Sequence, residues 1–263
     1  MLHFYSSQDL QNLLDSYCKF YNDDFENILH KVSKFSVRPS WWESKLLSRD
    51  MAMDYAPQYV LDRQDMLLKN DDYSKPILPT LNSYYSDLSV KQPKVYEFCN
   101  SLIKLILIAG LESYREGTTA EGLGIAHIDF KPHFNRQDFN ELIVHQITHL
   151  LLYYNDVINP QVPSKYKSLS LKTMFQHKRG GQEFPLYILF HSFCVAVEVL
   201  QYRIDTNTVD ATVNYHSDSQ LVIKRCKSCV EMLRDNSEYF SEQGEYVLEK
   251  YISSFTRQES MLC

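Results

Sequence analysis

The sequence predicts a mainly helical fold of the α+β kind, with a small strand element next to a helix that carries an HxxxH pair. Three observations lead there. Glycine is scarce, at 7 residues of 263, and the first is Gly110, so the many tight hairpins of a sandwich or barrel are not available. Apolar residues recur three and four apart over most of the chain, the spacing of one helix face. Gly117, Gly122 and Gly124 adjoin an alternating segment, Leu123 to Phe130, which reads as a short strand at a hairpin edge.

Taken in order, Leu10, Leu13, Leu14, Tyr17, Cys18, Tyr21, Phe25, Ile28, Leu29 and Val32 trace a helical stripe, with Ser6, Ser7 and Asp9 as its capping region. Pro39-Ser40 restarts the chain before Trp41-Trp42 and a second helical stretch to about Met53. The tryptophan pair reads as helix packing, with a peptide-docking patch as the alternative. Pro57, Pro76 and Pro79 break residues 54–92 into short helices and loops. Pro93 suits a helix first turn, followed by a buried stripe of Val95, Phe98, Leu102, Leu105 and Ile106. After Pro132, Asp138 caps or starts a helix to about Tyr154, and a loop runs from Asn155 to Glu183. The helix from Pro185 to Asp205 is apolar almost all round, so it belongs at the centre of the molecule. Helices over about 218–235 and 240–256 close the chain. No repeat or linker intervenes, so a helical part over 1–115 and a part carrying the HxxxH pair over 116–263 are expected to pack as one unit.

Composition removes several classes of function. With 27 Lys plus Arg against 33 Asp plus Glu, the net charge is −6, which disfavours a nucleic-acid partner. The longest apolar run, Leu102 to Leu111, is too short to span a bilayer and contains Lys104. The start, Met1-Leu2-His3-Phe4-Tyr5, does not read as a basic region followed by an apolar signal core, so a cytoplasmic location is expected. Six cysteines then read as reduced thiols. Cys226 and Cys229 share a helix face, where packing is the plainer account and half a zinc site or a redox pair the alternative. No Gly-rich phosphate loop or Gly-x-Ser-x-Gly elbow occurs.

The most informative string is Glu141-Leu142-Ile143-Val144-His145-Gln146-Ile147-Thr148-His149-Leu150. Imidazoles four apart stand one helical turn above each other and offer two nitrogens to one metal. His191 supplies a third on the next apolar helix, with Glu198 two turns further along the same face as the alternative ligand. Convergence on a divalent cation explains three histidines in apolar helices; ordinary core hydrogen bonds are the competing account. The residue after the first histidine separates chemistries. A hydrolytic zinc site of the HExxH type needs a glutamate there to take the proton of water, and Gln146 cannot do so. An iron(II) oxygenase has no such requirement. His127 and His133 read as loop histidines flanking the strand, with a place in the same pocket as the alternative, and His177 as part of a solvated basic loop.

Over residues 120–205 the chain resembles the α-ketoglutarate-dependent HExxH-type peptide β-hydroxylases. The likeness rests on Leu142-Ile143-Val144-His145-Gln146-Ile147-Thr148-His149-Leu150, on Lys178-Arg179-Gly180-Gly181, and on Pro185-Leu186-Tyr187-Ile188-Leu189-Phe190-His191-Ser192-Phe193-Cys194-Val195-Ala196-Val197. It departs from the family pattern at Gln146, where members carry glutamate, and at Phe190-His191-Ser192, where a small residue commonly follows the histidine. The resemblance implies iron(II) held by His145, His149 and His191. It also implies 2-oxoglutarate as co-substrate, its far carboxylate on Arg179 ahead of Arg203, and a ribosomally made precursor peptide as substrate. Two other readings stay open: a zinc metallopeptidase relative with altered or lost hydrolysis, and a metal-free peptide-binding or scaffold protein using the aromatic N-terminal half.

Overall fold

The computed structural model describes residues 3–18, 35–37, 77–103, 105–108, 116–117, 125–128, 130–173 and 183–262. Helix α1 is Ser7–Cys18, opened by Ser6 and Asp9, which exchange backbone-to-side-chain hydrogen bonds of 2.9 and 3.1 Å. Strand β1 is Phe35–Val37. Helices α2, Leu78–Lys91, and α3, Pro93–Leu102, each have a proline in the first turn, where the missing N–H costs nothing. Strands β2, Leu105–Ile108, β3, Glu116–Gly117, and β4, Ile125–Ile128, lead into α4, Arg136–Ile158. A one-turn helix α5, Ser164–Lys167, and strands β5, Ser170–Lys172, and β6, Glu183–Pro185, precede α6, Leu186–Asp205. Helix α7, Ser219–Arg234, a 3-10 turn at Ser237–Tyr239, and α8, Glu242–Leu262, complete the described chain. The fold is therefore mainly helical with a small strand element, as the sequence predicts. Trp41-Trp42, the helical stretch to Met53, His177 and Arg179 lie outside the described residues.

Three features of the strands differ from the expectation. Leu105 and Ile106 do not continue the α3 stripe: the helix ends at Leu102, Ile103 is extended at φ −104° and ψ 109°, and Leu105–Ile108 forms β2. A run of four aliphatic residues satisfies either period, and a parallel partner decided it. β2 pairs in parallel with β1 on one side and with β4 on the other, Ile106 opposite Ala126 and Ile108 opposite Ile128. β4 is consequently an inner strand, in the order β1-β2-β4-β3, with only the two-residue β3 antiparallel beside it. Within the span expected as loop, β5 and β6 form a second, antiparallel pair, Leu171 opposite Phe184.

The core is organised by α6, which packs against α4, α7 and α8. Leu142, Ile143, Ile147, Leu150 and Leu151 of α4 and Leu189, Phe193, Val197 and Leu200 of α6 are buried. Each such side chain contributes about 1.5–3 kcal/mol by leaving water. Helix α4 begins with a reciprocal cap: Asn135 accepts from the Asp138 N–H at 3.0 Å and its own N–H donates to Asp138 at 2.8 Å. Among the described residues, no helix is long and apolar enough to cross a membrane.

Candidate functional site

A polar stripe runs down the otherwise apolar α4: Gln137, Glu141, His145, His149 and Tyr153, each one turn from the next, with Asp156 at its end. Helix α6 faces it antiparallel. Near the α4 N-terminus Arg203 meets Glu141; further along His191 meets His149; near the C-terminus Tyr187 donates a 3.0 Å hydrogen bond to Asp156. The i, i+4 repeat on one helix and its antiparallel counterpart on the other thus line polar groups along one seam inside the core.

Four imidazoles lie in a row along that seam. His145 and His149 approach through their Nε2 atoms at 3.1 Å, with ring centroids 4.8 Å apart. His191 stacks on His149 at 5.7 Å between centroids, Nδ1 to Nδ1 at 3.5 Å. On the other side the Nε2 of His216 lies 3.2 Å from the Nδ1 of His145. His191 is fully buried, with the rings of Tyr187 at 4.2 Å and Tyr153 at 4.9 Å from its own. His145 and His149 keep an accessible edge. Burial pushes the pKa of His149 down to about 4 and those of His145 and His191 well below the usual imidazole value, so all three are neutral at pH 7.

A buried charged shell supports the row. Glu141 and Arg203, at 0% and 1% exposure, form a two-pronged ion pair at 2.8 Å on each prong, and Arg203 also donates to Ser219 at 3.1 Å. Glu141 accepts a further hydrogen bond from Nδ1 of His216 at 3.0 Å. Burial alone would raise the Glu141 pKa, but hydrogen bonds and charge from His216 and Arg203 outweigh it and hold the carboxyl down at about 2. Asp138 fixes the segment that brings His216 in. Its carboxylate accepts the backbone N–H groups of Asn214 and Tyr215 at 2.6 and 2.9 Å and the Asn214 side-chain amide at 2.9 Å.

Of the residues singled out in the sequence, His145, His149 and His191 are brought together. Arg203 is not free to anchor a co-substrate carboxylate: it is buried and committed to Glu141, which corrects that expectation. Glu198, the alternative ligand, is engaged elsewhere, accepting from Tyr251 at 2.8 Å and contacting Nδ1 of His3 at 2.8 Å. Gln146 is fully buried, and among the described residues neither its amide oxygen nor its nitrogen has a hydrogen-bond partner. His133 is an exposed turn residue set edge-on against Phe134. Cys226 and Cys229 are free thiols whose pKa burial raises, that of Cys229 to about 11, as packing residues would have. Glu141 and His216 escaped the sequence reading. Glu141 carried a signal, standing one turn before His145; His216 arrives from a separate segment and carried none.

The donors suit a divalent metal in part. Two nitrogens each about 2.1 Å from one ion and 3.1 Å apart subtend about 95°, within the range of common nitrogen-ligated sites. Neutral imidazole is the ligating form. Among the described residues the buried Nε2 of His191 has no hydrogen-bond partner. His191 reaches His149 from the Nδ1 side rather than the Nε2 side shared with His145, and among the described residues no three His, Cys, Asp or Glu side chains are placed to hold one ion. Compared with known proteins, the chain matches no family model and no curated protein.

Proposed function

We propose that the chain is an iron(II)- and 2-oxoglutarate-dependent hydroxylase of a side chain in a ribosomally made peptide, with His145, His149 and His191 as the metal donors. The observation that carries this reading is the neutral His145–His149 pair, Nε2 to Nε2 at 3.1 Å, with His191 meeting His149 through Nδ1 at 3.5 Å. A divalent ion held by the pair would place a positive charge among three uncharged rings.

The side chains around the pair favour oxygen chemistry over hydrolysis. Gln146 takes no proton at neutral pH and is fully buried, so the position that activates water in HExxH hydrolases is disabled here. Tyr153 and Tyr187 enclose His191 and keep water from that end, while the accessible edges of His145 and His149 leave an approach for co-substrate and peptide. Bound iron(II) with 2-oxoglutarate supplies activation of dioxygen. Arg179, by the resemblance, is the cation for the far carboxylate of 2-oxoglutarate, since Arg203 is held by Glu141.

Anaerobic addition of iron(II) and then 2-oxoglutarate to the full chain tests this. The expected result is a visible charge-transfer band that needs both additions and is lost in His149→Ala. Stoichiometric zinc with no such band would favour the metallopeptidase-like reading. A second reading, a metal-free core, is favoured by one observation: the contacts His216–His145–His149–His191 form a continuous nitrogen-to-nitrogen row that protons alone can bridge. Failure to take up any divalent metal would establish it.

A further inference from the structure

We propose that Ser254, His3 and Glu198 form a second catalytic centre, which hydrolyses small acyl esters through a serine nucleophile. It lies where α6 meets α8, no metal takes part, and it stands independently of the histidine row.

The three side chains come from remote parts of the chain: His3 precedes α1, Glu198 is on α6 and Ser254 on α8. Nε2 of His3 lies 3.0 Å from the Ser254 hydroxyl, and Nδ1 of the same ring lies 2.8 Å from the Glu198 carboxylate. A hydroxyl on one ring nitrogen and a carboxylate on the other is the arrangement by which histidine takes a proton from serine. The second oxygen of Glu198 accepts from the Tyr251 hydroxyl at 2.8 Å, so the carboxylate is held from two sides. Nδ1–H of His3 then donates to Glu198, which leaves Nε2 to accept from Ser254. The ring itself is fixed by Phe4, at 3.8 Å between centroids, and by the edge of Tyr251 at 6.4 Å. Burial, with nearby positive charges that include Lys94 and Arg257, holds the His3 pKa down at about 3, so the ring is neutral at pH 7 and able to take a proton. A base this weak gives slow turnover.

Tyr251, Ser254 and Gln258 share one face of α8. The Gln258 amide nitrogen lies 3.3 Å from the Ser254 oxygen, and it also bonds the Val197 carbonyl at 3.2 Å and Gln201 at 3.0 Å. It puts a donor beside the nucleophile, where the negative oxygen of a tetrahedral intermediate forms. Ser254, Glu198 and Gln258 are each 1% exposed, whereas the His3 side chain is 19% exposed. Entry is therefore past the His3 ring, which restricts the acyl group to about acetyl size. In the first step the Ser254 hydroxyl gives its proton to His3 Nε2 while its oxygen bonds to the ester carbonyl carbon. The carbon–oxygen bond to the alcohol then breaks, and His3 returns the proton to the departing oxygen. Water repeats the sequence on the acyl-serine, releasing the carboxylic acid and restoring the hydroxyl, so one ester and one water become one acid and one alcohol.

Methanesulfonyl fluoride, an acetyl-sized reagent that sulfonylates activated serine hydroxyls with loss of fluoride, tests this on the full chain at pH 7. Peptide mapping should place the adduct on Ser254 of the folded wild type. His3→Gln should slow its formation by about 10²-fold, and Glu198→Gln, which no longer fixes the ring tautomer, by at least about tenfold, both with helical circular dichroism retained. No adduct on Ser254 in the wild type would overturn the proposal without any variant having to fold, as would equal labelling rates in wild type and His3→Gln. p-Nitrophenyl acetate supplies the second arm. Its hydrolysis should be lost in Ser254→Ala, and p-nitrophenyl octanoate should not be hydrolysed by the wild type. Equal acetate hydrolysis in wild type and Ser254→Ala would overturn the serine nucleophile. A chelator should leave both readouts unchanged; their loss on chelation would assign the activity to a metal and overturn the proposal.

Discussion

Asp138 does the work of two residues. It caps α4 and it holds the loop at Asn214 and Tyr215, accepting four N–H groups from a fully buried position. Removing it strands those donors, so Asp138→Ala should cost about 3 kcal/mol or more, read as a shift of the denaturant midpoint. A loss below about 1 kcal/mol, the value of a lone cap, would mean that the loop is held by something else. Gln146 makes the opposite prediction. Its amide is buried without partners among the described residues, so Gln146→Leu, similar in volume, should leave stability unchanged or raise it by about 1–3 kcal/mol. A fall in thermal midpoint would show that the amide has a partner in solution. Asp138 was legible in the sequence as a helix start because caps are local. Its hold on residues 214–215, 76 and 77 positions away, was not, because nothing local encodes it.

Elements were legible where one period dominated. The α4, α6, α7 and α8 stripes are long and amphipathic or uniformly apolar, and their bounds follow the sequence reading to within a few residues, except at the C-terminus of α8. Leu105–Ile108 was not legible, because four aliphatic residues fit helix and strand alike and the parallel partners, β1 and β4, are remote in sequence. Helix α8 gives a test in which propensity and packing disagree. Gly244 lies in its first turn, and alanine is ordinarily the better helix residue by about 1 kcal/mol. A Cβ there would stand 2.0 Å from the carbonyl oxygen of Gln161, in backbone that is itself bonded to Ser241 at 2.9 Å. Gly244→Ala should therefore destabilise by about 1–3 kcal/mol, as overpacking does, rather than stabilise. Equilibrium unfolding decides the sign.

Across the whole molecule, the Glu141–Arg203 pair ties α4 to α6 and, through Ser219, to α7. Arg203→Met would leave Glu141 buried and short of its main partner, at a cost of about 3–5 kcal/mol. The pair also sets a pH dependence. The folded pKa of Glu141, about 2, lies below its ordinary value of 4.5, so between those values the unfolded chain binds the proton and the folded chain does not. Stability from this group is fully present above about pH 4.5 and is lost as pH falls toward 2, by roughly 3 kcal/mol. Acid unfolding curves of wild type and Glu141→Gln should diverge over that window; parallel curves would contradict the assignment. His145, His149 and His191 were legible as a group because two share a helix face and the third breaks an apolar run. The buried shell behind them was not read from the sequence, although Glu141 stands one turn before His145.

The most direct measurement is metal stoichiometry by equilibrium dialysis under anaerobic conditions, comparing wild type with His145→Ala and His149→Ala. One iron(II) per chain in the wild type and none in either variant, with helical circular dichroism retained, is the expected result. Variants that bind as the wild type does, or a wild type that binds nothing, would contradict the metal centre.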